Sequence, residues 1–154
     1  MSHKNLQLDQ LDRRMSLLAS AHRGGTFPYG WLRAIRSALG ISLEQMAKMT
    51  GKTRQGMMAL EKREREGAAT LRTLREAGAV LGLELVYGFV PTQDGSLSAL
   101  VDRKAQELAR EIVERTLQTM ALEGQSPSPE RIEQAIRDRA AEIRRDMPKS
   151  LWDA

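Results

Sequence analysis

The chain contains no cysteine, which excludes disulfide bonds and thiolate metal sites. Its two histidines, His3 and His22, have no partner at the spacing that metal ligands require. Aromatic residues make up only 4% of the chain, so the core must be built from Leu, Ile, Met and Ala, which favours helices over sheet. No apolar run approaches the roughly 18–20 residues of a membrane span, and residues 1–11 lack the apolar core of a signal peptide. We therefore expect a cytoplasmic, mainly α-helical protein.

Charged residues are plentiful, at 29% against 41% hydrophobic residues, as in an ordinary folded domain. The net charge is +4, and it is unevenly distributed. Residues 30–91 contain ten basic and six acidic side chains, whereas residues 97–154 contain ten basic and eleven acidic ones. This distribution favours a nucleic-acid partner for the N-terminal two thirds of the chain and a different kind of partner for the C-terminal third.

The spacing of apolar and capping residues predicts a series of helices with one short strand. The predicted helices cover residues 5–20, 30–39, 43–49, 54–61, 71–81, 97–123 and 129–146. Within the predicted helix over residues 30–39, Trp31, Leu32, Ile35 and Leu39 are expected to face the core. Residues 62–67 are predicted to form a charged loop, and residues 83–90 to form a strand because they are rich in β-forming residue types.

Residues 41–60 have the form of two short helices around a tight turn. Ser42 and Gln45 have the spacing of a capping box, and Gly51 suits the turn. The residues expected in the core are Leu43, Met46, Met57 and Leu60, with the small Ala47 where the helices cross. This arrangement exposes Lys52, Thr53, Arg54, Gln55, Met58 and Ala59 on the second helix. Arginine and glutamine near the start of such a helix can reach base edges in the major groove.

Residues 30–67 resemble the XRE, or lambda-repressor-like, helix-turn-helix family, including the run SLEQMAKMTGKTRQGMMALEK and the helix after it. The resemblance implies that the second helix lies in the major groove of operator DNA, with Thr53, Arg54 and Gln55 at the bases and Met58 or Ala59 as further contacts. It implies phosphate contacts from Lys52, Lys62, Arg63 and Arg65. Such domains usually bind two half-sites as dimers. Glycine is a poor helix former, so Gly56 weakens this helix by about 1 kcal/mol relative to alanine.

The long C-terminal helix carries a broad apolar stripe that ends on an acidic residue. The stripe comprises Leu97, Val101, Ala105, Leu108, Ile112, Thr116, Thr119 and Met120, and Glu123 falls in the middle of the same stripe. Glu123 is also in the last turn, where the helix dipole disfavours an acid by about 0.3–1 kcal/mol at an exposed site. Position alone leaves two interpretations open: a hydrated side chain on a frayed helix end, or a carboxylate that binds a cation elsewhere.

Residues 119–124 (TMALEG) match the pattern Ser/Thr-x-x-x-Glu-Gly/Asn, which resembles the inhibitory motif of proteins that silence Fic-domain AMP-transferases. The whole chain is similar to the family labelled mobile mystery protein A, through the segments GWLRAIRSALG, LGLELVYGFVP, TMALEGQ and SLWD. That family consists of XRE-type proteins encoded beside a Fic-domain protein. The resemblance implies that Glu123 pairs with the enzyme arginine that holds the γ-phosphate of ATP. Thr119 would steady the helix against the enzyme, and Gly124 would let the chain leave without a clash.

The expected fold is mainly α: a lambda-repressor-like helix-turn-helix bundle with one short strand and a C-terminal two-helix extension. The expected segments are an N-terminal helical arm (1–29), a DNA-binding domain (30–91), a partner-binding region (97–147) and a tail (148–154). We expect an antitoxin that inhibits a Fic-domain AMP-transferase toxin and represses its own operator, with no catalytic, cofactor-binding or metal-binding residues of its own. The alternative is a stand-alone XRE-type transcriptional repressor whose C-terminal helices oligomerise or sense a ligand.

Overall fold

The computed structural model describes residues 2–153, and it is mainly α-helical, as predicted. The helices are α1 (His3–His22), α2 (Trp31–Ala38), α3 (Leu43–Thr50), α4 (Arg54–Arg65), α5 (Leu71–Ala79), α6 (Leu97–Leu122) and α7 (Pro129–Asp146), followed by a short 3-10 helix over Lys149–Trp152. The C-terminal two-helix extension corresponds to α6 and α7.

Most helix starts are fixed by local capping, because the first N–H groups of a helix have no partner inside it. The hydroxyl groups that accept a hydrogen bond from the backbone N–H three residues on belong to Ser42, Thr53, Thr70, Ser96 and Ser128. At α3 the capping box is complete, because the Gln45 side chain also accepts from the Ser42 N–H at 2.8 Å.

Helix α4 continues through Arg65, so the charged loop predicted at residues 62–67 is wrong for most of its length. The extra turn has a long-range role. The Glu64 carboxylate accepts hydrogen bonds from the N–H groups of Trp31 at 2.8 Å and Leu32 at 2.9 Å. These are the first N–H groups of α2, whose own N-cap residue, Gly30, has no side chain to offer. The last turn of α4 therefore caps the start of α2.

The strand predicted at residues 83–90 is wrong: these residues adopt no regular secondary structure, and none of the residues 2–153 forms a strand. Residues 84–88 make no backbone hydrogen bond with any described residue, and only Leu83 is held, by its N–H to the Gly78 carbonyl at 2.9 Å. A strand needs a partner strand to satisfy its backbone. The described part of the chain provides none.

The chain divides into two compact units. One comprises His22–Gly88 and contains α2 to α5. Its buried residues are Leu32, Met46, Ala47, Met57, Leu60 and Ala77. Of the core residues predicted for α3 and α4, Met46, Met57 and Leu60 are buried, and Leu43 is half-buried against them. Trp31 and Leu39 are 59% and 60% exposed, so the expectation that they face the core is wrong.

The other unit comprises the residues up to Ala21 and those from Phe89 onward, so α1 packs with the C-terminal helices. Its core lies between α6 and α7 and consists of Val101, Ala105, Ala109, Ile136, Ala140, Ile143 and Leu151. Alanine at three of these positions lets the two helix backbones approach closely. Leu8 of α1 packs against the same cluster.

Asp12 of α1 caps the start of α6. Its carboxylate accepts hydrogen bonds from the backbone N–H groups of Leu97 at 2.7 Å and Ser98 at 3.1 Å, and from the Ser98 hydroxyl at 2.7 Å. Desolvation raises the pKa of this carboxyl, but the hydrogen bonds from Ser98 and Leu97 lower it more. The net result is a pKa below the ordinary value of 3.8.

We expect Asp12→Ala to lower the free energy of unfolding by about 0.5–2 kcal/mol at neutral pH, because a capping acceptor is lost. Since folding lowers the pKa of Asp12, its charged form stabilises the fold above pH 3.8, and this contribution disappears as the pH falls below that value. Urea unfolding at pH 7 and pH 3 measures both effects. Asp9→Ala, on the same helix, is the matched control and should change little. An equal loss at both pH values would contradict the charge-based explanation.

Candidate nucleic-acid interface and exposed helix end

Helices α3 and α4 form a helix-turn-helix whose turn is fixed by backbone hydrogen bonds. Gly51 ends α3 in the left-handed conformation, with φ 69°, and the Lys52 N–H donates to the Ala47 carbonyl at 2.8 Å. The Thr53 hydroxyl then accepts from the Gly56 N–H at 3.0 Å and starts α4. The direction in which α4 leaves the turn is therefore set before any partner binds.

Helix α4 has one buried and one exposed face. Met57, Leu60 and Glu61 are buried, and they lie on one side of a helix that turns about 100° per residue. The predicted DNA contacts Thr53, Arg54, Gln55, Met58, Lys62 and Arg63 are all exposed. Lys52 and Ala59 were also predicted to be exposed, but both are half-buried. The structure thus brings these side chains together on one accessible surface. The Thr53 hydroxyl is already engaged as the cap of α4.

Glu61 anchors α4 to α2 through a nearly buried ion pair. The Arg36 guanidinium donates to its two carboxylate oxygens at 2.6 and 3.1 Å, and also to the Ile41 carbonyl at 3.1 Å. The hydrogen bond from Arg36 to Glu61 raises the arginine pKa, against the opposing effect of desolvation. Because both side chains are more than 85% buried, water screens this pair weakly. The pair therefore fixes the orientation of the α4 surface relative to α2.

We expect Arg36→Met to lower the free energy of unfolding by about 3–5 kcal/mol, because it leaves the Glu61 carboxylate buried without a partner. The double variant Arg36→Met with Glu61→Leu should recover most of this loss, since no buried charge remains. Urea unfolding followed by circular dichroism measures both variants. Arg33→Met, which removes a neighbouring exposed arginine of α2, serves as the control. A loss as large in the double variant as in the single one would contradict the buried-charge explanation.

A basic cleft of about 240 Å³ lies beside the exposed face of α4. The residues that line it are Tyr29, Arg33, Met58, Glu61, Lys62 and Arg65, of which Glu61 is already paired with Arg36. The Arg33 guanidinium stacks over the Tyr29 ring at 4.5 Å. Three cations around one cleft can hold a phosphate group. The sequence predicted Lys62 and Arg65 as phosphate contacts, but it did not predict a role for Arg33 or Tyr29. These two come from α2 and the loop before it, and no local pattern relates them to α4.

Helix α6 ends at Leu122 in a tight glycine turn. Glu123 is its C-cap residue, and Gly124 adopts φ 76°, which only glycine enters without strain. The Gln125 N–H donates to the Met120 carbonyl at 2.9 Å, and the Gly124 N–H donates to the Ala121 carbonyl at 3.1 Å. The helix predicted over residues 97–123 therefore ends within one residue of the predicted position.

Thr119, Glu123 and Gly124 are all exposed at this helix end. The Thr119 hydroxyl donates back to the Arg115 carbonyl at 3.3 Å. The Glu123 carboxylate makes no hydrogen bond or ion pair with residues 2–153. Leu122 beside it is 90% exposed. Within the apolar stripe of α6, Val101 and Ala105 are buried, whereas Thr116 and Thr119 near the end of the helix are exposed and Met120 is half-buried.

Comparisons with protein-family models, with curated proteins and with solved structures find no match to this chain.

Among the helices between residues 2 and 153, none is both long and apolar enough to cross a membrane. Over the same residues there is no group of three or more His, Asp or Glu side chains that could hold a metal ion.

Proposed function

We propose that the chain is a sequence-specific DNA-binding protein that reads base edges with the first turn of α4. The observation that carries this proposal is the exposed pair Arg54 and Gln55 in the first turn of a helix that is anchored to its unit by the buried residues Met57, Leu60 and Glu61. Arginine pairs in bidentate fashion with guanine, and glutamine with adenine, in the major groove. The Arg36–Glu61 pair supports the proposal because it holds α4 rigidly against the rest of the unit.

Phosphate contacts position such a helix on the duplex. The cations that surround the start and the outer side of α4 are Lys52, Lys62, Arg63, Arg65 and Arg33. If a protein neutralises Z phosphates, the logarithm of its binding constant falls linearly with the logarithm of the salt concentration, with a slope near −0.9Z. We therefore expect binding to every duplex to weaken as the salt concentration rises, and the operator to be bound more tightly than other sequences at physiological salt.

Selection of bound duplexes from a random-sequence pool tests this proposal. We expect two inverted half-sites, with centres about 10 base pairs apart, because a two-fold dimer places its two reading helices one DNA turn apart. A pool that shows no consensus after repeated selection would contradict sequence-specific binding. If binding to all sequences weakens equally as the salt concentration rises, the interaction is only electrostatic and is not sequence-specific.

For the second unit, we propose that Glu123 inhibits a Fic-domain AMP-transferase. The carboxylate would pair with the arginine that holds the γ-phosphate of ATP, so that ATP cannot adopt its reactive pose. Support comes from the TMALEG motif and from the exposure of Glu123 and Leu122 at the end of a rigid helix. A well-aligned arginine–carboxylate pair is among the stronger polar contacts in a protein interface. Leu122 and the exposed last turns of α6 would dock on the enzyme.

Together these proposals describe an antitoxin that silences its toxin and represses their shared operator, and that performs no catalysis itself. The alternative is a stand-alone XRE-type repressor. Co-expression with the product of the adjacent gene, followed by affinity capture through this chain, separates the two. Capture of a Fic-domain protein together with loss of its AMP-transfer activity supports the antitoxin. Operator binding without capture or silencing supports the stand-alone repressor.

A further inference from the structure

Helix α1 precedes the helix-turn-helix unit in the sequence, but in the structure it belongs to the other unit. That unit comprises the residues up to Ala21 and those from Phe89 onward, so the whole helix-turn-helix unit is inserted in the chain between α1 and α6. The sequence predicted the same residues as an arm next to the DNA-binding domain. The two assignments give α1 different functions, and the contacts of α1 distinguish between them.

Four residues on one face of α1, here called the clasp, hold it to α6 and α7: Lys4, Asn5, Leu8 and Asp12. Beside the Asp12 cap of α6, the Lys4 ammonium donates to the Met147 carbonyl at 3.1 Å. The Arg144 guanidinium donates to the side-chain oxygen of Asn5 at 2.7 Å, and Leu8 packs against the core of the unit. Because each residue turns a helix by about 100°, the four positions lie within a sector of about 100°. One face of α1 therefore bridges the start of α6 and the end of α7.

The clasp lies at the open end of a helical hairpin. Helices α6 and α7 pack against each other and are connected by the loop over residues 123–128, so they run antiparallel. At the opposite end, the first N–H groups of α6 and the last carbonyl groups of α7 have no partners within their helices. A helix carries partial positive charge at its start and partial negative charge at its end. Asp12 brings a carboxylate to the first and Lys4 an ammonium group to the second, so α1 closes the open end with complementary charges.

The proposed inhibitor needs this hairpin to stay closed, because Glu123 lies in the loop that connects the two helices. The buried core of the unit consists of seven residues, and three of them are alanines, which bury little apolar surface. Helices gain most of their stability from packing against other elements. We propose that α1 is a positioning element of the C-terminal unit, required for inhibition through Glu123 and dispensable for operator binding. This inference rests on the proposed function of Glu123.

The helix-turn-helix unit has its own core and its own helix caps. The residues that form its buried cluster, and the partly buried ones packed against them, all come from residues 32–81. Glu64 of α4 holds the start of α2, while Ser42 and Thr53 cap α3 and α4. The first turn of α4 is therefore presented without a contribution from α1. Loss of the clasp should leave operator binding intact.

Weakening the clasp in the full chain tests the proposal. The clasp variant combines Lys4→Met, Leu8→Ala and Asp12→Ala. We expect its inhibition constant against the Fic-domain product of the adjacent gene to rise at least about 10-fold, because apparent affinity falls with the fraction of molecules in the competent conformation. Its affinity for the selected operator should stay within about 2-fold of wild type. The control variant changes exposed residues on the other sides of α1 and should alter neither quantity: Gln7→Ala, Gln10→Ala and Arg13→Met.

Amide hydrogen exchange and a charge swap show whether the effect arises at the clasp. Loss of the Asp12 cap should speed exchange of the Leu97 and Ser98 amides by roughly 2- to 30-fold, while the amides of α4 keep their rates. The swap variant, Lys4→Asp with Asp12→Lys, keeps the composition and net charge of wild type but opposes both helix dipoles. It should also weaken inhibition. A swap variant that inhibits as strongly as wild type would contradict the role of the complementary charges.

The remaining outcomes separate this proposal from the function on which it rests. Inhibition by the clasp variant equal to that of wild type would overturn the proposal, and so would an operator affinity that falls as much as the inhibition does. A wild type that does not inhibit the enzyme would contradict the proposed function of Glu123. The exchange rates at Leu97 and Ser98 and the operator affinity would then still show to which unit α1 contributes.

Discussion

Replacing Glu123 with glycine is expected to restore AMP transfer by the Fic partner while the complex still forms. Removing one member of a desolvated, hydrogen-bonded charge pair costs about 2–5 kcal/mol. That range corresponds to a rise of roughly 30-fold to several thousand-fold in the inhibition constant. In the free chain, Glu123 makes no contact with residues 2–153 that its loss would break. The thermal midpoint of the variant should therefore match that of wild type.

Two glutamine variants separate charge from conformation in this experiment. Glu123→Gln keeps the side-chain length and removes the charge, so it should relieve most of the inhibition. Glu114→Gln, at an exposed position nearer the middle of α6, should inhibit as well as wild type. Activity is followed by transfer of labelled AMP to protein in the reconstituted complex. Full inhibition by the Glu123→Gly complex would show that silencing does not depend on this carboxylate.

The double variant Arg54→Ala with Gln55→Ala is expected to lose its preference for the operator and to keep weak, salt-sensitive binding. Each bidentate base contact contributes about 1–3 kcal/mol of discrimination. Loss of both should reduce the ratio of specific to non-specific affinity by at least roughly 30-fold. Titration of operator and scrambled duplexes at two salt concentrations measures the ratio and the salt slope together.

Arg72→Ala is the control for the loss of positive charge in this experiment. Arg72 is exposed on α5, outside the helix-turn-helix. It should change the affinity for both duplexes little and leave their ratio unchanged. If the Arg54 and Gln55 double variant retains the wild-type ratio, the reading surface lies elsewhere on the unit.

Helix starts were predictable from the sequence because each depends on residues three positions apart. Ser42, Thr53 and Ser128 cap the helices that follow them, as their spacing indicates. The exposure of Gln55 was predictable for a similar reason, because helical periodicity places it opposite Met57 and Leu60. Periodicity does not do so for Arg54, which lies one turn before Met57 on the same side of α4 and is exposed in the first turn.

Features that depend on distant residues were not predictable. Glu64 prolongs α4 because it binds N–H groups more than 30 residues earlier in the chain, and no local pattern signals this. The basic cleft was missed in part because Arg33 belongs to a different helix. The strand prediction failed for another reason: β-propensity describes a preference that only a neighbouring strand can satisfy.

The turn after α6 also bears on the thermodynamics of the proposed recognition by Glu123. Fixing the backbone of one residue costs about 1–2 kcal/mol of conformational entropy, and immobilising a glutamate side chain costs up to about 2 kcal/mol. The hydrogen bonds from Gly124 and Gln125 and the left-handed glycine order the backbone around Glu123 in the free chain. Only the side chain then loses freedom when a partner binds. Most of the entropy that must be lost to order this carboxylate is therefore lost when the chain folds. Because less entropy is lost on binding, association is more favourable.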